Sequence, residues 1–546
     1  MFKRNNERDR YGSARLADPA DYEAAGMFDQ QASSIFLGFV DGKPVWYSGP
    51  GGMVVTAGAR AGKMTTFLAY NILAGSCLQT LVMLDPKGEG AYISQNQTPD
   101  GKFCGYWDPA GLHGLPQDRM NPTDYMTIDS KVIVSDCKMF FKDFVAATGS
   151  NEGKFFEGRA RDWGEGIALT CTELRGVLTL PDLAHAINMI PAGGDDWLDF
   201  AYSMSISRFP QARRAEAEIA NGRRDAGGGF RGILGVLLEA VSCLSDPVLM
   251  ESVSPPYTLS MADTVSSDQA WQIYLCPPAE HLSAWSPVIK SIFTAAMIYK
   301  ARHAAAPKQT WFIDECGQLA TGPSAGFDLI PRMFTYGAGI GVQPVAILQT
   351  NAQMRELGPE AERLITSSAA CRLMFALRDY ESAEQASKML GSQTLEYDDN
   401  LQQSRATLAR KSGLQRLLGG ADPLEVGLEI AQAGREAVHR TKQQRDVMTA
   451  DEVMNLQGDE ALLWADGLAR PGLINRAPYW TRPELAGRYH PNPYHPPLDS
   501  VRVTTRTGGF MGRTRMETRR VITESVPDRF AHYPQYRNGI WSRVEG

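Results

Sequence analysis

Gly52-Met53-Val54-Val55-Thr56-Ala57-Gly58-Ala59-Arg60-Ala61-Gly62-Lys63-Met64-Thr65-Thr66 runs from an apolar stretch through a small-residue loop into a helix-competent segment. That order is the layout of a P-loop, in which backbone N–H groups and a helix N-terminus cradle phosphates and a lysine neutralises them. On this reading Gly58, Ala59, Arg60, Ala61, Gly62, Lys63, Met64 and Thr65 hold a nucleotide, with Lys63 at the β- and γ-phosphates. Two positions depart from the full pattern. Ala57 stands where the first glycine belongs, and Met64 stands where a Ser or Thr would offer Mg²⁺ a hydroxyl. Thr65 is the candidate replacement ligand, directly or through water, although it lies about 100° further round an α-helix. A threonine that merely caps the helix is the competing reading of that residue. An ordinary glycine-rich strand-to-helix turn is the competing reading of the whole stretch.

A second motif lies far downstream, at Gln309-Thr310-Trp311-Phe312-Ile313-Asp314-Glu315. An apolar strand ending in two carboxylates places one acid near Mg²⁺ and another near an attacking water. Asp314 takes the metal role, and Glu315 orients and deprotonates the water. The plain alternative is a buried strand that runs into an acidic loop. Gln349, after the apolar run Val345–Leu348, fits a sensor of the γ-phosphate; a satisfied buried amide is its alternative. Arg372 fits an arginine finger reaching a neighbouring subunit's nucleotide, against a plain salt bridge. Lys87 and Glu89 follow another strand end and carry no assigned role.

The chain has 546 residues, enough for two or three structural units, and its apolar and charged fractions are those of a soluble globular protein. A net charge of −7 argues against a global nucleic-acid field, so any such contact comes from a local patch. Eight scattered cysteines without a CxxC pair and eight unclustered histidines give no disulfide framework or zinc site, which fits a reducing cytoplasm. The charged N-terminus lacks the apolar core of a signal peptide. Thr65–Leu84 reads as a helix followed by a strand rather than a membrane span.

Short apolar runs ending in polar residues predict buried parallel strands at Met53–Ala57, Thr80–Leu84, Phe103–Trp107 and Trp271–Leu275. Further strands are expected at Trp311–Ile313, Val345–Leu348, Arg372–Leu377 and Glu460–Trp464, with helices between most of them. Strands alternating with helices give an α/β fold with a mainly parallel sheet. Between 129 and 261 the pattern is helical at Val132–Val145, Phe155–Leu174, Leu180–Ile190 and Ile233–Leu244, with a flexible break at Gly222–Gly232. The predicted organisation is a nucleotide-binding domain in two parts, 1–128 and 262–490, an all-α insertion at 129–261, and a Pro/Arg-rich tail at 491–546. Residues 402–445 read as a helical excursion or a partly disordered loop.

With these residues in place the chain resembles the type IV secretion system coupling proteins, the TraG-like conjugative DNA-transfer ATPases. The likeness starts at Tyr11-Gly12-Ser13-Ala14-Arg15 and Ala24-Ala25-Gly26 and passes through Tyr47-Ser48-Gly49-Pro50 into Arg60-Ala61-Gly62-Lys63. Leu84-Asp85-Pro86-Lys87-Gly88-Glu89, Asn121-Pro122, Leu275-Cys276-Pro277-Pro278 and Phe312-Ile313-Asp314-Glu315 continue it. Gly339–Gln349 and Leu456–Trp464 complete it, over roughly residues 10–490. The resemblance implies a RecA-like P-loop NTPase with ATP and Mg²⁺ as cofactors, assembled as a homo-hexamer, alone or only on its substrate or a membrane partner. It further implies a relaxase–ssDNA complex or effector proteins as substrates, delivered to a type IV secretion channel. Family members usually begin with transmembrane helices, and this chain starts just after where they would end. A separate anchor subunit, a naturally soluble variant and a removed anchor are the three explanations, and the expected location is cytoplasmic, peripheral at the bacterial inner membrane.

Substrate contact is expected from local basic groups: Arg208, Arg213, Arg214, Arg223 and Arg224; Arg405, Arg410, Lys411 and Arg416; and Arg502, Arg506, Arg513, Arg515, Arg519 and Arg520. The alternative for each run is a solvated face. Two other functions stay open: a substrate-docking platform that hydrolyses ATP weakly or not at all, because of Ala57 and Met64, and an FtsK-like DNA pump.

Overall fold

The computed structural model describes residues 12–544 apart from 75–76, 96–100, 146–150, 225–227, 267–268, 321–325, 399, 420–421, 423–425, 427, 429–430, 432–439, 483–484, 486–487, 491, 495–499, 508–512 and 532–539. In chain order the first strands are β1 (Ile35–Val40), β2 (Lys43–Tyr47), β3 (Met53–Ala57), β4 (Thr80–Leu84) and β5 (Phe103–Trp107). Then come β6 (Trp271–Leu275), β7 (Gln309–Ile313), β8 (Val342–Leu348), β9 (Cys371–Phe375), β10 (Ser392–Asp398) and β11 (Arg440–Asp446). The last are β12 (Glu460–Ala465), β13 (Gly472–Asn475), β14 (Ser500–Thr507), β15 (Arg513–Ser525) and β16 (Ile540–Val544). Eleven of them form one sheet in the order β2-β1-β13-β12-β9-β3-β8-β7-β4-β6-β5.

From β9 to β5 every pairing is parallel. This block contains seven of the eight strands expected from the sequence. The eighth, β12, runs antiparallel to β9 and starts an antiparallel edge of β12, β13, β1 and β2. The α/β class holds, and three strands of that edge are an addition. The signal of two of them was weak, since β2 is partly exposed and β13 is only four residues long, whereas β1 is a buried apolar run of six residues that the sequence reading passed over.

Alternation along the strands builds two cores. Val54, Val82, Leu84, Trp311, Ile313, Ala346 and Leu348 face one side. Met53, Val55, Leu81, Met83, Phe312, Val345 and Ile347 face the other. Period-two side-chain geometry requires this split, and burial on both faces explains why the strands read as continuous apolar runs. The first face is covered by helices Ser286–Arg302, Leu329–Ile340 and Ile133–Phe144, which share its core. The second is covered by the turn and helix from Met64 to Ile72 and by Tyr479, Trp480 and Leu485.

Between β5 and β6 the described residues form helices Ile133–Phe144, Asn151–Arg175, Leu180–Ala192, Gly194–Ile206, Pro210–Arg224 and Gly229–Val241, with shorter turns after them, and no strand. The core of the sheet's first face continues into these helices through Phe140, Trp163, Ile187 and Leu237. At the expected Gly222–Gly232 break, helix extends through Arg224 and resumes at Gly229. Helix Asn400–Leu418 occupies part of the expected polar excursion, which ends in β11 paired antiparallel to β10. The Pro/Arg-rich tail contains an antiparallel β14-β15-β16 sheet, which composition had not suggested. Among the described residues no helix is long and apolar enough to cross a membrane.

Candidate functional site

The loop after β3 is shaped by backbone constraints that its small residues permit. Arg60 and Gly62 have φ of 58° and 79°, and the Ala61 N–H donates to the Gly58 carbonyl at 3.2 Å. A methyl group on Gly58 would lie 2.3 Å from the Ala376 carbonyl oxygen, so glycine alone fits where the loop leaves the sheet. The first helical turn, Met64–Leu68, is π-helical: the Ala69 N–H donates to the Met64 carbonyl five residues back. Such turns occur often at functional sites. In this turn the hydroxyls of Thr65 and Thr66 both donate to the Gly62 carbonyl, at 3.3 and 2.9 Å. Met64 turns its thioether end toward Gly90, where an added methyl would sit 3.0 Å from Met64 Cε.

Parallel pairing carries the β7 end to the same edge of the sheet as this loop. Lys63 Nζ lies 3.1 Å from Glu315 Oε1 and 3.4 Å from Asp314 Oδ1, a contact across 252 positions of sequence. All three side chains are mostly buried. Burial works to lower the Lys63 pKa, but the charges of Asp314 and Glu315 outweigh it and the net shift is upward. Burial raises Asp314, opposed by Lys63. Glu315 adopts φ 52°, a left-handed conformation that a non-glycine residue keeps only when its surroundings enforce it. That conformation lets its own N–H reach Asp314 Oδ1 at 3.1 Å.

The end of β8 contributes Gln349, whose Nε2 donates to both Glu315 carboxylate oxygens at 2.9 and 3.0 Å. Its backbone N–H donates to Gln353 Oε1 at 2.7 Å. At the β4 end, Asp85 is buried, and burial pushes its carboxyl up to about 7 while the Ala91 N–H, donated at 2.9 Å, opposes the rise. Glu89 and Asp314 repel Asp85 from nearby. The site therefore gathers more carboxylates than cations. That donor set fits a nucleotide carrying Mg²⁺, a metal that takes one or two carboxylates and fills its remaining positions with phosphate and water.

Arg372 lies elsewhere. It pairs beside Val54 and Trp464, toward the start of the parallel strands, whereas Lys63 follows their ends. Its guanidinium donates to the Thr366 carbonyl and lies 3.4 Å from Met389 Sδ. Two residues near the loop escaped the sequence reading. Arg378 is exposed, and its Cγ lies 3.5 Å from the position a Gly58 methyl would take. Arg476, after β13, is buried and donates to the Ala61 carbonyl at 3.1 Å and to Thr66 Oγ1 at 2.8 Å. Arg378 directly follows the expected Arg372–Leu377 strand and could have been found by that signal, whereas nothing local marks Arg476, which joins the site through sheet pairing.

Of the basic candidates, Arg208 donates to the Ile128 carbonyl at 2.8 Å, Arg213 donates to the Ser207 carbonyl, and Arg223 donates to the Ile190 carbonyl while stacking 5.0 Å over Trp197. Arg214, Arg224, Arg405, Lys411, Arg416 and Arg520 are exposed, and Arg519 is half-buried. The side chains of Arg410, Arg502, Arg506, Arg513 and Arg515 lie outside the described residues.

A family model described as type IV secretory system conjugative DNA transfer matches residues 19–416. Among solved structures the chain is similar to the bacterial conjugative coupling protein TrwBdeltaN70 in complex with sulphate, at TM-score 0.55 and 14% identity, covering 85% of this chain and 93% of that one. It is similar too to plasmid coupling protein TrwB with the ATP analogue ADPNP (TM-score 0.54, 14% identity, 85% and 93% coverage). The complex of TrwB with ADP and Mg²⁺ aligns alike, at TM-score 0.55, 15% identity and the same coverage. At these identities the likeness is one of fold. No curated protein matched the sequence.

Proposed function

Because the chain belongs to the type IV secretory system conjugative DNA transfer family, we propose that it is an ATPase that couples DNA, protein or both to a secretion channel. The observation that carries this reading is the meeting of Lys63 with Asp314 and Glu315, and of Glu315 with Gln349. In the proposed site the amides of the 58–64 loop and Lys63 hold the phosphates, so Lys63 exchanges its carboxylate partners for phosphate oxygens. Asp314, with Thr65 once its hydroxyl leaves the Gly62 carbonyl, would hold Mg²⁺. The bound metal would neutralise phosphate charge as it develops. Glu315 accepts the proton of the attacking water, and Gln349, bonded to both its oxygens, keeps that carboxylate in place and senses the occupied γ-phosphate position. Arg372 reaches a neighbour's nucleotide only by giving up its bond to Thr366.

The same reading divides the chain at 128, 261 and 490, the helices between β5 and β6 supporting the 129–261 insertion. It includes assembly as a homo-hexamer, a relaxase–ssDNA or effector cargo, channel components and a separate anchor as partners, and a peripheral place at the inner membrane. One observation favours the second reading, a docking platform with weak hydrolysis: Met64 presents a thioether, packed against Gly90, where a hydroxyl would serve the metal.

Steady-state ATP hydrolysis with and without single-stranded DNA tests the choice. A motor loses turnover in both Lys63→Ala and Glu315→Gln, and Glu315→Gln still binds ATP. Protein that binds ATP but turns over no faster than Glu315→Gln is the platform.

A further inference from the structure

We propose that Arg476 is a positioning residue of the nucleotide site, holding the phosphate loop in its binding shape from behind; the inference rests on the nucleotide reading above. Arg476 follows β13, at the antiparallel edge of the sheet, and is only 3% exposed. Its Nη1 donates to the Ala61 carbonyl at 3.1 Å and to Thr66 Oγ1 at 2.8 Å. Its Nη2 donates to the Gly458 carbonyl at 2.6 Å, and its Nε to the Glu460 carbonyl at 3.4 Å. The guanidinium plane lies 3.7 Å over the Phe375 ring, at the end of β9. Its backbone N–H donates to the Asp459 carbonyl at 2.6 Å. One planar group thus ties the loop, the first helical turn, the end of β9 and the turn before β12.

The chemistry of the loop explains why such a tie matters. A loop that aims its N–H groups at phosphates must turn carbonyls the other way, and a buried carbonyl left unpaired is costly. Arg476 supplies that donor for Ala61, the residue just before Gly62 and Lys63. The bond fixes the peptide whose N–H belongs to Gly62. The bond to Thr66 fixes the helical turn on the other side of Lys63. The guanidinium offers five donors in a rigid fork and stacks on an aromatic face, whereas a lysine ammonium is a point charge on a flexible stem. The fork geometry is therefore the functional property, and Arg476→Lys keeps the charge while losing it. A positive charge buried behind the loop is also poorly screened and favours phosphate in front of it.

The test measures displacement of a fluorescent ADP analogue by ATP with Mg²⁺, alongside thermal melting, for wild type, Arg476→Met, Arg476→Lys, Thr66→Val and Thr66→Ser. The expected result is nucleotide affinity weakened at least about tenfold in Arg476→Met. Arg476→Lys recovers only part of it, Thr66→Val weakens binding and Thr66→Ser does not. Arg476→Met combined with Thr66→Val should lose less than the product of the single losses, because both remove the same bond. If Arg476→Met does not fold, the Thr66 pair decides. Variants that melt lower but bind nucleotide as wild type does overturn the inference and leave Arg476 a packing residue. Wild-type protein that binds no nucleotide overturns the nucleotide reading and this inference with it.

Discussion

Lys63 is the residue on which the site balances. Lys63→Ala leaves Asp314 buried beside Glu315 without its cation. Burial already raises the Asp314 carboxyl and Lys63 restrains that rise, so the variant's carboxyl is raised further. A raised acid contributes stability that is complete below its unfolded pKa and is lost as pH rises through the folded value. The variant is therefore expected to fall further below wild type at pH 8 than at pH 5, by about 1–3 kcal/mol. Denaturant melts at both pH values check this, and an equal gap would refute it. Asp108 offers a second residue-scale test. It is fully buried at the end of β5, and burial pushes its carboxyl up to about 7 against the amides of Ala110, Gly111 and Leu112. By the same sign, the contribution of Asp108 to stability falls from pH 5 to pH 8. Asp108→Asn should gain more over wild type at pH 8 than at pH 5, and an equal gap at the two values would refute it.

At the scale of elements, the phosphate loop depends on where β9 ends. Ala376, just past β9, has φ 49°, and its carbonyl stands where a side chain on Gly58 would go. Gly58→Ala therefore forces two backbone segments apart, and neither is a flexible side-chain tip. Nucleotide affinity is expected to fall at least about tenfold with a lowered melting temperature; unchanged displacement of the fluorescent nucleotide would contradict the role of this close approach. The π-helical turn shows the limit of sequence reading at this scale. Assuming an α-helix, Thr65 sits at a fixed phase from Met64. The structure instead inserts a wider turn that sends Met64 to Gly90 and brings both threonine hydroxyls back to Gly62. Propensity does not signal such a turn, because packing against Gly90 and Arg476 decides it.

Across the whole molecule, one core spans the first sheet face and the helices between β5 and β6. A polar tie reinforces it: Arg302, at the end of helix Ser286–Arg302, places Nη2 2.6 Å from both oxygens of buried Asp136 in helix Ile133–Phe144. Arg302→Ala leaves Asp136 buried and unpaired. The Arg302 side chain is 35% exposed, so the expected loss is about 2–3 kcal/mol, below the range for fully buried pairs. Hydrogen exchange should rise in helix Ile133–Phe144 and leave β3 and β7 protected. Exchange that rises evenly through the sheet would mean that the two parts open as one unit.

The strands of the parallel block and the residues at their ends were legible from sequence, since a strand buried on both faces must be continuously apolar and its polar continuation must lie at an edge. The Lys63 loop, Asp314, Glu315 and Gln349 were singled out that way, each from its own local pattern, and the fold brings them together. Pairing order is not written in local pattern. Only the folded sheet set β9 and β8 on either side of β3, brought the antiparallel edge with Arg476 behind the phosphate loop, and carried Arg372 away from Lys63. Hydrogen bonds between distant strands make those choices, and any apolar strand can pair with many others until the whole chain has excluded the alternatives.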